Sequence, residues 1–93
     1  YKIEITNKFK QSLKKYKKDG VNTKLIYDVV DILAKGDSLP EKYKNHQLKG
    51  NLQGYYDCHI LPDLVLIYKI EKDKLILLLF DIDSIQIYSN TKL

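Results

Sequence analysis

Arginine is absent from the 93 residues, so all 16 of the strongly basic side chains are lysines. Lysine meets a phosphate as a point charge and lacks the planar fork with which arginine grips two oxygens at once. Nucleic-acid contacts from such a chain are expected to be largely non-specific and salt-sensitive. The single cysteine excludes a disulfide framework and a cysteine-built zinc cage. Two prolines and four glycines leave no room for low-complexity linkers, and 44% hydrophobic content disfavours disorder. No apolar run approaches the ~20 residues of a membrane span. No secretory leader opens the sequence, so the expected compartment is the cytosol. The length excludes a multidomain enzyme. It still allows burial of roughly 60–65% of the unfolded surface, which predicts one domain over residues 1–93.

The net charge of +4 is unevenly placed. Residues 1–49 carry 12 lysines against 6 acids, whereas residues 50–93 carry 4 against 6. Six lysines fall between positions 8 and 18. That stretch reads either as a solvated helix face or as a surface for polyanions or an acidic partner.

The pattern predicts an α+β domain: an N-terminal strand, a two-helix hairpin, then an antiparallel β-meander. Residues 1–5 alternate apolar and polar, as a strand does. Thr6 or Asn7 can cap a helix bearing Phe9, Leu13 and Tyr16, with Gly20 as its stop. Asn22 or Thr23 can cap a second, with Leu25, Ile26, Val29, Val30 and Leu33 as its apolar stripe and Gly36 at its end. Residues 37–45 read as a loop or a short turn of helix. Residues 55–60 alternate, and residues 64–70 and 75–80 are apolar on both faces. Pro62-Asp63 and Lys72-Asp73 supply the turns. Residues 85–88 read as a further short strand or a packed tail.

Both histidines lie between positions 46 and 59. Alternation puts Tyr55, Asp57 and His59 on one strand face, with Tyr56, Cys58 and Ile60 on the core face. A carboxylate two residues from an imidazole favours the charged imidazolium. Histidines with carboxylate neighbours fit RNA phosphodiester cleavage. That reaction needs a base for the ribose 2′-OH, an acid for the leaving 5′-oxygen, and cations for the phosphorane. Lys44 and Lys49 are the nearest cations. The same histidines read more readily as surface bystanders, and less readily as part of a metal site. Cys58, on the core face, reads as inert packing. Tyr55 reads as a base-stacking ring or as an ordinary strand tyrosine.

Leu39-Pro40-Glu41-Lys42-Tyr43-Lys44-Asn45-His46-Gln47-Leu48-Lys49-Gly50 resembles the segment before the catalytic sheet in YafQ-type toxins of the RelE/ParE toxin–antitoxin superfamily. The run from Gly54 through Asp57, His59, Pro62 and Asp63 to Tyr68 continues the likeness without gaps. The resemblance implies a RelE-like fold and a metal-independent endoribonuclease that cuts mRNA on the ribosome. It implies a cognate antitoxin, of ribbon-helix-helix type, and contact with operator DNA only through the antitoxin complex. It implies His46, Asp57, His59 and Asp63 as catalytic or substrate-contacting residues, with His59 as the proton-transfer group tuned by Asp57. The likeness stops near the C-terminus. Phe80 stands where the family has an Arg, Ile82 where it has a Gly and Ser84 where it has a His, while Tyr88 keeps the family's aromatic. Those departures leave open weakened cleavage, a changed mechanism, or a non-catalytic module that binds antitoxin and corepresses its operon. A gyrase inhibitor on the same fold is disfavoured, because it has no use for the histidine set.

Overall fold

The computed structural model describes residues 1–84. Strand β1 (Lys2–Ile5) leads into helix α1 (Asn7–Lys18), and helix α2 (Thr23–Ala34) follows. Two single-turn 3-10 segments, Glu41–Tyr43 and Gly50–Leu52, flank the two-residue strand β2 (His46–Gln47). Then come β3 (Tyr56–Leu61), β4 (Leu64–Glu71) and β5 (Ile76–Ser84). The five strands form one sheet in the order β1-β5-β4-β3-β2. The meander β3-β4-β5 is antiparallel, as expected, and β1 joins it parallel to β5.

Local chemistry explains both helices. Thr6 caps α1, its Oγ1 accepting from Phe9 N at 2.9 Å, and Asn22 caps α2 by accepting from Lys24 N at 3.1 Å. Gly20 (φ 96°) and Gly36 (φ 80°) close the two helices. At each, the following residue donates five positions back, Val21 to Tyr16 O and Asp37 to Ile32 O, which satisfies carbonyls the helix leaves over. The helices cover one face of the sheet. Phe9, Ile26, Val29, Val30 and Leu33 meet Cys58, Leu64, Leu66, Tyr68, Leu77, Leu79 and Ile82 there. Leu25, expected in the stripe, is an exposed helix-surface residue.

The opposite face carries a smaller cluster of Leu48, Val65 and Ile67, edged by Leu52, Tyr55 and Phe80. Two irregularities shape it. Between β4 and β5 the register jumps from Ile67↔Asp81 to Tyr68↔Leu79, which makes Phe80 an extra, bulged residue. The Phe80 carbonyl accepts from Thr6 Oγ1 at 2.5 Å, tying the start of α1 to this bulge. Between β3 and β4 the register jumps from His59↔Val65 to Leu61↔Leu64, next to the Pro62-Asp63 turn.

Leu75, in the β4–β5 turn, has φ 56° and is 65% exposed. A leucine pays for this left-handed backbone and buries little in return. Leu75→Asn is expected to raise stability by about 0.5–1 kcal/mol, read as a higher urea midpoint at an unchanged slope.

Candidate functional site

β2 is too short to show a period, yet it sets the site by pairing antiparallel with β3. His46 faces Asp57 directly across the two strands. His46 Nδ1 lies 3.0 Å from the Lys44 carbonyl and 3.0 Å from Asp57 Oδ1. The carbonyl approach is aligned as a hydrogen bond. Neither oxygen of the fully buried Asp57 meets an aligned donor, so its contact with His46 is one of charge and proximity. A carbonyl can only accept, so the bond to Lys44 requires the proton on Nδ1, and Nε2 of the half-exposed ring is the nitrogen left for proton transfer. Lys44 holds the left-handed backbone (φ 48°) that brings its carbonyl to this position. Asp57, expected to act on His59, is in contact with His46 across the strands.

His59 follows two residues after Asp57 on the same strand face, about 6.6 Å along β3. It is half-buried and lines a small depression with Lys42, Lys44 and Pro62. His46, Asp57, His59 and Lys44 thus share one edge of the sheet. Asp63 is exposed in the two-residue turn between β3 and β4. Lys49 is exposed at the start of the Gly50–Leu52 turn. Tyr55 precedes β3, and its ring packs against Phe80 at 5.1 Å with Lys69 Nζ 5.4 Å away, so it belongs to the open-face cluster. Tyr88 and the tail at 85–88 lie outside the described residues.

Cys58 points into the core. Burial, then the charge of Asp57, pushes its thiol up to about 12, which leaves it unreactive. Burial likewise raises Tyr68, whose hydroxyl donates to Asn45 Oδ1 at 2.6 Å and steadies the segment that leads to His46. Among the described residues, no group of three or more His, Cys, Asp or Glu side chains is arranged to hold a metal ion.

The sequence reading missed a second polar cluster. Asp81 is 3% exposed; its Oδ1 accepts from Ser12 Oγ at 2.6 Å and from Ile82 N at 2.8 Å, and its Oδ2 lies 3.6 Å from Lys8 Nζ. Ser84, at the position of the resemblance's histidine, pairs with Leu64 at the end of β5. It shares a hydrogen bond with Tyr16 of α1, on the helix-covered side of the sheet.

The description "Bacterial toxin of type II toxin-antitoxin system, YafQ" matches residues 1–85. The chain belongs to the YafQ family of type II toxins. It is 36% identical over 75 residues to the mRNA interferase toxin YafQ of Escherichia coli K12, covering 80% of each chain. The structure superposes on a metal-bound toxin from Helicobacter pylori with a TM-score of 0.84 at 43% identity, over 89% of this chain and 92% of that one. It also matches YafQ of the Escherichia coli DinJ–YafQ complex with a TM-score of 0.81 at 28% identity, over 88% and 90%. The YafQ assignment agrees with the two helices on a five-stranded mixed sheet. No described helix is long and apolar enough to cross a membrane.

Proposed function

We propose that this chain is the toxin of a cytoplasmic type II pair and cleaves ribosome-bound mRNA by acid–base attack through the ribose 2′-OH. The observation that carries the reading is the His46–Asp57 contact beside His59 on an exposed sheet edge. In this mechanism one imidazole removes the 2′-OH proton and the other protonates the leaving 5′-oxygen. Lys44 steadies the phosphorane, Lys49 and Tyr88 contact the strand, and Asp63 orients the substrate. Asp57 acts through His46, beside Nδ1, with Nε2 left as the proton-transfer nitrogen. No metal is needed for these steps. The name of the Escherichia coli relative supports the mRNA substrate, and its complex with DinJ supports a cognate antitoxin, for which a ribbon-helix-helix protein is the expected type. Operator DNA would be met only through that antitoxin complex. The lysines of α1 suit the polyanionic ribosome. Cleavage is weaker than in a toxin with the family's Arg and His, because Phe80 and Ser84 supply neither a phosphate clamp nor a proton-transfer group.

Phe80 and Ser84 at the positions of the family's Arg and His favour a second reading, a non-catalytic module that binds antitoxin and corepresses its operon. Induced expression with mapping of mRNA 5′ ends separates the two. Ends in phase with codons, lost in His59→Ala, are the expected result. Absence of new ends together with tight antitoxin binding would establish the module.

A further inference from the structure

One residue row crosses the sheet from the proposed cleavage site to α1. His46 pairs with Asp57, Asp57 with Ile67, and Ile67 with Asp81. Four strands in register span about 14 Å from His46 to Asp81. At the far end lies a groove of about 410 Å³ between α1, the Gly50–Leu52 turn and β5. Lys8 and Lys49 are its cations, and Asp81 and Asp83 its acids.

These four charges are not equivalent. Asp81 is buried and spends Oδ1 on Ser12 and Ile82 N, so Oδ2 is left to face Lys8. Asp83 accepts from Ser84 N at 2.9 Å. The carboxylates are thus partly engaged within the protein. The Lys8 ammonium sits 5.4 Å from the centre of the Phe80 ring and 3.6 Å from Asp81, while its side chain stays 64% exposed. Ring and carboxylate hold the ammonium in place, while the exposure of the side chain leaves it open to a further anion. Lys49 has no charge or ring partner among the described residues, so it carries a free and unpositioned cation. A lysine held at one point before binding loses less side-chain entropy when it meets an anion.

We propose that Lys8 is a phosphate-contacting residue for an RNA strand laid along this row, gripping a phosphate that flanks the scissile one. The proposal rests on the nuclease reading above. The distance from His46 gives Lys8 a role in strand binding rather than in proton transfer. RNA is favoured over an acidic peptide because the groove continues the row that begins at the histidine, whereas an acidic peptide would be served as well by any lysine of α1.

The test uses a 2′-O-methyl RNA dodecamer, which has no 2′-OH to react, and measures its affinity over a series of salt concentrations. Lys8→Ala is expected to weaken binding about three- to tenfold and to flatten the log–log salt slope by ~0.7, the share of one phosphate contact on a single strand. Lys8→Arg restores both values, and Lys35→Ala, at the far end of α2, changes neither. Unchanged affinity and slope in Lys8→Ala overturn the proposal, as does failure of the unsubstituted chain to bind the dodecamer. Loss of binding to polyglutamate without loss of RNA binding also overturns it, in favour of an acidic partner. Transcript cleavage by the unsubstituted chain is measured separately, so a failed nuclease reading is distinguishable from a failed role for Lys8.

Discussion

His46→Ala is expected to lower mRNA cleavage by ~10²–10⁴ and to relieve growth arrest on expression. The ring is the one whose orientation the structure fixes twice, through the Lys44 carbonyl and through Asp57. Substituting it removes the proton-transfer atom and also uncovers a buried carboxylate whose oxygens have no aligned donor. Some loss of stability must accompany the loss of rate, because an unpaired buried charge is costly. Asp57→Asn separates the two effects. It removes the charge while keeping the shape, so the ring stays on the Lys44 carbonyl with less to orient it. Cleavage should fall by about tenfold, less than for His46→Ala. If Asp57 acts only through His46, Asp57→Asn adds nothing further in the His46→Ala background. Wild-type cleavage by His46→Ala would remove this histidine from the mechanism. A further tenfold drop in the double variant would mean that Asp57 acts independently.

The helices were legible because their ends are chemically marked. Thr6, Asn22, Gly20 and Gly36 each occupy the terminal position their chemistry predicts. The meander was legible because its strands are joined by short turns. Strand β2 was not, since two residues, His46 and Gln47, cannot display alternation. With β2 unseen, its pairing with β3 was hidden, and Asp57 was assigned to its neighbour His59 rather than to His46 across the strands. The parallel pairing of β1 with β5 also left no local mark, for it depends on how two helices return the chain to the sheet. The last strand runs four residues past the expected end at Phe80. Asp81 and Asp83 lie beyond that expected end, but they alternate with Ile82, and that was the available signal of a continuing strand. The burial of Asp81 is sustained by Ser12 and Lys8, partners about 70 positions away that no local pattern reveals.

Leu66→Ala is expected to cost about 3–4 kcal/mol, read as a lower urea midpoint at an unchanged slope. Leu66 is fully buried in β4, with Cys58 and Ile82 as its cross-strand neighbours and the helix cluster above it. β4 is the central strand, held on both sides, so it cannot shift to fill the space a leucine leaves. Leu48→Ala makes the contrast. Leu48 is also buried, but it sits between β2 and the Gly50–Leu52 turn in the smaller cluster, where the turn can settle inward. Its cost should lie near the low end for such substitutions, about 2 kcal/mol. A loss below 1 kcal/mol in Leu66→Ala would contradict the packing described for the helix-covered face. The magnitude matters for every toxicity assay on this chain. Domains of this size hold only about 5–15 kcal/mol in total, so Leu66→Ala lowers the amount of folded toxin in a cell. A core variant can therefore abolish growth arrest without touching the histidines. Loss of toxicity in a site variant identifies a catalytic group only when its urea midpoint stays clear of that of Leu66→Ala.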